Sequence, residues 1–538
     1  MDSELLAEVN AWIEDDPDPK TAAELTRLVS SDDELTLRKY FSGFLQFGTA
    51  GLRGPLGPGP SCMNQAVVGR TAAGLVQYMK KRALTSVVIG RDARHGSDVF
   101  EKISAEIFSG AGIAVHVLPR PLPTPVLAFA VNELGADVGI MVTASHNPGS
   151  DNGYKVYLGG NVDGVTYRGS QIISPADLEI SAEIQKISSL KSVKREQAWD
   201  VLNEEIVEKY VERTKILAPH PGELKIVYTA MHGVGTKTLQ RVFHRAGFPS
   251  LILVQAQSQP DPDFPTLPFP NPEEAGALDL AIETAKTFDA DLVIANDPDA
   301  DRCSIAIKDH DSSWRALRGD EIGAILGEVI ARNSSAGTLA NSIVSSSILS
   351  KIAKNYGLDF QETLTGFKYI AKIPNLLFGY EEAIGFCVDA RTVNDKDGIS
   401  AALYLAQIAT DLKAQGKTLL DLLDEIWEKY SFHATEQISI RVTNISHIST
   451  VMANLRRNPE SQIAGFRVLA FEDLNQPQNG LPPTDGLRFT LEENIRIIIR
   501  PSGTEPKIKC YIEVVNPAKT IALSLLEQLR PSLRELLS

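Results

Sequence analysis

The chain predicts an α/β protein: three similar α/β domains with mixed sheets, followed by a smaller α+β domain at the C-terminus. Three observations predict it. Short β-branched runs alternate with helical stretches, and the alternation restarts twice along the chain, the pattern of βαβ units in a largely parallel sheet. After about residue 432 the texture changes to closely spaced strands. A length of 538 residues exceeds what one hydrophobic core supports, and at ~100 to 200 residues per domain it implies roughly three to five domains.

Taken in order, the N-terminal MDSELLAEVNAWIEDDPDPK is acidic and amphipathic; it lacks the basic start and continuous apolar segment of a secretory signal. Strands are expected at 87–90, 113–118 and 138–142, with a helix over 99–110. The pattern restarts at KIVYTA (225–230) and continues through 251–254 to DLVIA (291–295). Between the last two lies QAQSQPDPDFPTLPFPNPEE (255–274), a proline-rich excursion inside one unit rather than a domain linker, because α/β alternation resumes after it. A third round covers 342–346, 360–365 and a loop at 379–386. The last region offers strands at 437–442, 487–491, 495–499 and 507–515, with a closing helix from Pro517. Domains are therefore expected at 1–217, 218–319, 320–432 and 433–538.

Composition excludes several classes. The formal net charge of −15 argues against a nucleic-acid binder, which needs a basic face. No apolar run reaches the ~20 residues of a membrane span. Cys62, Cys303, Cys387 and Cys510 show no CxxC spacing, so they read as reduced thiols in a cytoplasmic protein. An anionic ligand would need cations gathered locally.

In open parallel sheets ligands bind beyond the carboxyl ends of the strands, and three unusual loops fall there: TASHNP (143–148), NDPDADR (296–302) and GYEEAIGF (379–386). In the first, Ser145 beside His146 follows a buried strand, where a nucleophile can be held at a cleft mouth. Lys155 returns ten residues later in NGYK, placed for proton transfer or charge stabilisation. In the second, Asp297, Asp299 and Asp301 can converge on one divalent cation. An EF-hand is excluded, since Arg302 stands where that loop needs Gly and Lys308 where it needs Glu. Mg²⁺ suits carboxylates beside phosphate. A fourth loop, RPSGTEPK (500–507), offers Arg500, Ser502, Gly503, Thr504 and Lys507 as a phosphate cradle. In LQFGTAGLRG (45–54), glycines allow close backbone approach and Arg53 can meet an anion.

The ordered set GTAGLRG, TASHNP with NGYK, DPDADR, EEAIG and RPSGTEPK resembles the α-D-phosphohexomutase superfamily over nearly the whole chain. DNGYKVY, EEAIGFCVD, NDKDGISAA and SGTEPKIK are most similar to the branch of phosphopentomutases and bacterial phosphoglucomutase or phosphomannomutase homologues. The resemblance implies four domains around a central cleft. It implies transfer of a phosphoryl group between positions 1 and 6 of a hexose, or 1 and 5 of a pentose, through a phosphoserine and a bound sugar 1,6- or pentose 1,5-bisphosphate.

On that resemblance Ser145 is the phosphorylated serine and binds Mg²⁺ together with Asp297, Asp299 and Asp301. His146 and Lys155 become the proton-transfer candidates, and Arg53 and Arg302 stabilise the transferring group. Glu381, with Glu382 beside it, matches the sugar-binding loop. Arg500, Ser502, Gly503, Thr504 and Lys507 match the loop for the non-reacting phosphate, assisted by Lys396 of NDKDG. Where many hexose mutases carry Ser two places after the matched glutamate, this chain has Ala383, which loosens hexose selectivity. Glucose 1-phosphate and ribose or deoxyribose 1-phosphate are equally expected substrates, ahead of mannose 1-phosphate; glucose 1,6-bisphosphate synthesis is an alternative. A haloacid-dehalogenase-like phosphotransferase would use Asp297 and Asp299 directly, but leaves TASHNP and RPSGTEPK unexplained. A non-catalytic sugar-phosphate sensor would have no need of both nucleophile and metal ligands. Monomer and dimer both stay open.

Overall fold

A computed structural model of the chain describes residues 1–46, 51–442, 445–477, 480–502 and 507–537. The chain forms two compact units, one of Met1–Leu317 with Gly385–Asp411, the other of Arg318–Ile384 with Leu412–Ser538.

The first unit starts with helices Ser3–Asp15, Pro19–Ser30 and Glu34–Tyr40. Asp2, Asp18 and Asp33 cap them, each carboxylate accepting from a first-turn amide, which satisfies donors that have no partner inside the helix. Leu5, Val9, Trp12, Leu25, Leu28 and Leu37 tie the helices into the main core. The first sheet has the strand order Leu52–Pro55, Asp151–Leu158, Val138–Val142, Ser86–Arg91, Ala114–Val117, Asp200–Val201. Its centre is parallel, while Asp151–Leu158 runs antiparallel beside Val138–Val142 and Leu52–Pro55 antiparallel beside that. Every residue of Val138–Val142 is buried, as expected of a strand covered on both faces. That topology explains the return of the lysine: the chain leaves Val142, loops out, and comes back alongside, with Lys155 paired opposite Met141.

A second sheet in the same unit orders Ile252–Leu253, Ile226–Thr229, Leu292–Ala295, Ser304–Lys308 and Trp314–Ala316. The first three are parallel and the last two antiparallel, so NDPDADR is the turn that reverses the chain after Leu292–Ala295. The proline-rich excursion forms no strand and leads to the helix Asp279–Phe288.

In the second unit Asp359–Thr363, Thr338–Ser342 and Leu376–Glu381 form a parallel set. A six-stranded antiparallel sheet follows, ordered Phe432–Arg441, Lys507–Asn516, Ile495–Pro501, Leu487–Leu491, Phe466–Asp473, Gln462–Ile463, with the helix Lys519–Leu536 packed on it. One expectation is corrected here: the strand read at 342–346 lies at Thr338–Ser342. Ile343 and Val344 instead join a small buried cluster with Leu364 and Ile498, while the hydroxyls of Ser345 and Ser346 bond Glu382 and Glu513, a use that a pleated ladder does not provide. Phe432–Arg441 begins five residues ahead of the expected 437 because it pairs along its whole length with Lys507–Asn516. Phe466–Asp473 escapes the sequence reading, since its residues are mostly half-exposed and show no clean alternation. Among the described residues no helix is long and apolar enough to cross a membrane.

Candidate active site

Ser145 sits at the first turn after Val138–Val142 with φ +54°, a left-handed conformation that costs a non-glycine residue energy and persists only where its surroundings enforce it. Its amide donates to Thr143 Oγ1 at 2.9 Å. Its hydroxyl lies 3.1 Å from His146 Nδ1 and donates to Asp297 Oδ2 at 2.7 Å. The enclosing protein, together with the Arg302 and Arg53 guanidinium groups, pushes the His146 imidazole well below its usual value, so it is neutral at pH 7.

The three aspartates are almost completely buried. One carboxylate oxygen from each lies within 4.8 Å of the others. Alternation brings them together: Asp297, Asp299 and Asp301 are spaced by two residues in a turn whose Ala300 has φ +56°. Lys155 Nζ lies 2.6 Å from Asp299 Oδ2 and 2.9 Å from Asp301 Oδ2, and Lys396 Nζ is 3.2 Å from Asp301. The carboxylates therefore differ. Burial and the charges of Asp299 and Asp301 raise Asp297 well above the usual range. For Asp301 burial acts in the same upward direction, but Lys155, Lys396 and Arg302 outweigh it and hold the group well below that range; Lys155 does likewise for Asp299. Burial alone would lower Lys155, yet Asp299 and Asp301 raise it.

Two buried oxygens, Asp299 Oδ1 and Asp301 Oδ1, have no hydrogen-bond partner. A buried acceptor without a partner is costly, and three hard oxygen donors facing one point are what a small divalent cation completes. The residues present fit such an ion.

Arg53, in Leu52–Pro55 opposite Gly153, donates from Nη1 to Asn147 Oδ1 at 3.1 Å; its Nε is buried without a partner. The backbone N–H of Arg302 donates to Asp297 Oδ1 at 3.0 Å. Backbone clearance holds the aspartate turn from two sides: a Cβ on Gly233 would run into Pro298, and one on Gly398 into the Arg302 carbonyl. The sequence reading missed Thr124, whose hydroxyl donates to Asp299 Oδ2 at 2.6 Å and whose amide donates to the Asp299 carbonyl. Its only signal was a position at the start of a helix, Thr124–Glu133. Lys396, expected to assist the phosphate loop, stands beside Asp301, because Gly385–Asp411 folds with the first unit.

The second unit carries the remaining expected residues. Glu382 is enclosed, and its carboxylate accepts from Ser342 and Ser345 hydroxyls at 3.1 Å each; burial, and Asp320 nearby, raise it. Glu381 Oε1 accepts from the Gly366 amide at 2.7 Å. Arg500 is the last residue but one of the strand Ile495–Pro501, and the Ser502 amide donates to the Lys507 carbonyl at 2.8 Å. Gly503 and Thr504 lie outside the described residues, as do Gly48, Thr49 and Ala50.

Comparison with known proteins matches four family models in order. They are phosphoglucomutase/phosphomannomutase alpha/beta/alpha domains I, II and III at residues 45–191, 204–310 and 318–430, and the C-terminal domain at 452–524. A Haemophilus influenzae protein described as "Probable phosphomannomutase" is 48% identical, covering 84% of this chain and 93% of the relative. The phosphopentomutase of Pongo abelii is 36% identical over 100% of this chain and 95% of its own length, and the phosphoglucomutase of Staphylococcus haemolyticus 34% identical over 88% and 91%. A phosphoglucomutase/phosphomannomutase family protein from Burkholderia thailandensis shares the fold, with a TM-score of 0.71 at 19% identity over 91% of this chain and 97% of its own. With all four domains matched and a relative at this identity along most of its length, the chain belongs to the phosphoglucomutase/phosphomannomutase family.

Proposed function

We propose that the protein is a phosphosugar mutase working through a phosphorylated Ser145. The observation that carries this reading is the Ser145 hydroxyl held on Asp297, at the edge of three convergent carboxylates and beside buried cations. A nucleophilic oxygen next to a divalent-cation site and fixed positive charge is what phosphoryl transfer needs, because that reaction is promoted mainly by positioning and electrostatic stabilisation. Asp297, Asp299, Asp301 and an oxygen on Ser145 would hold Mg²⁺, which when bound offsets charge on phosphate oxygens.

In this reading the phosphoryl group on Ser145 Oγ passes to a free hydroxyl of a sugar monophosphate. The resulting bisphosphate reorients and returns its other phosphoryl group to Ser145. The neutral His146 imidazole and the Lys155 ammonium are the groups available for proton transfer, and Arg53 and Arg302 supply further positive charge. Glu381 and Glu382 would contact the sugar, and Arg500, Ser502, Gly503, Thr504 and Lys507 the phosphate that is not reacting. Relatives named for glucose, mannose, pentose and ribose phosphates support a sugar monophosphate as substrate; a sugar bisphosphate would serve as activator by placing the phosphoryl group on Ser145. Four buried cysteines without disulfides are in keeping with a reducing, cytoplasmic setting.

The deciding experiment measures kcat/KM for glucose, mannose and ribose 1-phosphates with Mg²⁺ and glucose 1,6-bisphosphate, using Ser145→Ala as control. Loss of turnover in the control supports the reading, and ordinary turnover by Ser145→Ala overturns it. A preference for ribose 1-phosphate makes the protein a phosphopentomutase and points to Ala383; a hexose preference assigns it to hexose phosphates.

A further inference from the structure

The proline-rich excursion 255–274 has no part in the chemistry above, yet it packs directly against the serine loop through a residue that the motifs do not include. Arg94, 4% exposed, turns its guanidinium into the loop that carries Ser145. Nη2 donates to the carbonyls of Ser145 and Asn147 at 2.6 Å each. Nη1 donates to those of Pro148 at 2.7 Å and Asp151 at 3.1 Å. One side chain thus gathers four carbonyls from seven consecutive residues, including the carbonyl of the strained serine itself.

Arg94 is anchored in turn. Asp92 Oδ2 lies 3.3 Å from its Nε, and Asp92 Oδ1 accepts from the Arg94 amide at 3.0 Å. The Asp92 amide donates to the Val142 carbonyl at 3.0 Å, at the end of the strand that delivers Ser145. Over the guanidinium lies the ring of Phe264, its centroid 4.9 Å away. Phe264 is 4% exposed and has φ +46°, and its neighbour Asp263 meets His95 Nε2 at 2.7 Å. Gly149 approaches the excursion so closely that a Cβ on it would sit 2.7 Å from the Pro262 carbonyl.

We infer that Arg94 is a positioning residue for phosphoryl transfer, holding Ser145 in its left-handed conformation, and that the 255–274 excursion is the strap that seals Arg94 in place through Phe264. The argument is geometric. A left-handed serine relaxes unless its carbonyl is held. Only a planar guanidinium presents paired donors along two edges at once, whereas a lysine ammonium presents three from a single point. An apolar ring over the cation keeps water from competing for the four carbonyls and adds cation–π attraction. The excursion therefore has a reason to be long, rigid in proline and free of strand pairing: it reaches from the second sheet of the unit to the loop of the first.

This inference rests on the mutase reading for its kinetic part and on the loop geometry for the rest, so the test has two readouts. Arg94→Lys and Phe264→Leu are compared with the natural protein by steady-state mutase kinetics and by amide hydrogen exchange across 143–151. For Arg94→Lys kcat falls by about 10²-fold, the order expected for a reacting atom displaced by ~1 Å, while KM stays within about threefold, the pattern of an interaction felt in the transition state. Exchange rises in 143–151 and not in the second unit. Phe264→Leu moves both readouts the same way by less, and the double variant loses less than the product of the two, since the residues act as one device. Unchanged kcat with unchanged exchange overturns the inference, as does a rise in KM at constant kcat. If the natural protein shows no mutase turnover, the mutase reading fails and the exchange data alone decide on Arg94. Should Arg94→Lys fail to fold, Phe264→Leu is judged by the same two criteria.

Discussion

The Ser145 hydroxyl donates to Asp297 at 2.7 Å across 152 positions of sequence, while Lys155, only ten residues from Ser145, is bound to the other two aspartates of the same turn. The aspartates thus do different work before any ligand arrives, and this makes their substitutions distinguishable.

Asp301→Asn removes the partner shared by Lys155 and Lys396, leaving two buried ammonium groups short of counter-charge. A broken buried ion pair costs about 3 to 5 kcal/mol, so the melting temperature drops sharply. Asp297→Asn replaces a carboxylate that burial already pushes toward its neutral form, and the fold tolerates it better. Thermal melts of the two variants in chelator check the order; equal losses would contradict it.

Removing divalent cations abolishes turnover, and each of the three Asp→Asn variants binds Mg²⁺ more weakly than the natural protein. Isothermal titration of the substrate-free protein reads the affinity independently of activity. Full activity in excess chelator would refute the metal assignment.

Glu382→Gln keeps the shape of the side chain bonded to Ser342 and Ser345 but removes its charge. Loss of a hydrogen bond to a charged group is worth about 1.5 to 3 kcal/mol, which places the fall in kcat/KM near 10- to 100-fold. Glu381→Gln, whose carboxylate accepts from the Gly366 amide, separates the two neighbours when assayed beside it.

Asp320, whose charge also acts on Glu382, supplies a pH test read through stability rather than turnover. Burial raises its carboxyl to about 6 from 3.8, against the Ser346 amide that lowers it and with Glu513 raising it further. A group raised on folding stabilises fully below its unfolded value, and that contribution disappears as pH rises through the folded value. Between about pH 4 and pH 6 the natural protein therefore loses up to about 3 kcal/mol from this group. Asp320→Asn does not titrate, so its melting temperature gains on the natural protein as pH rises across that window; a pH-independent difference would refute the prediction.

Much of this was legible in the sequence because loops and strands carry separate signals. The apolar run 138–142 announced a buried strand, and NGYK announced the return of Lys155. The triple alternation of aspartates announced a cation site on its own. What stayed hidden depended on tertiary contact: Thr124 looks like any helix-start threonine until Asp299 is brought 2.6 Å away, and Arg94 looks like a surface arginine until four carbonyls are folded around it. The contact of Lys396 with Asp301 stayed hidden because spacing gives no warning that Gly385–Asp411 packs back onto the first unit. The shifted strand at Thr338–Ser342 had the same cause, since the serines after it answer to Glu382 and Glu513 rather than to a ladder.

Gly233 and Gly398 bring no side chain to the aspartate turn, only the clearance that its absence leaves. A saturation screen scored by activity would nevertheless rank both beside the aspartates, because any side chain there must push Pro298 or Arg302 off its mark. Variants at such positions would look catalytic in an activity assay and yet touch no substrate, and the remedy for them would be a ligand that braces the turn rather than one that replaces lost chemistry.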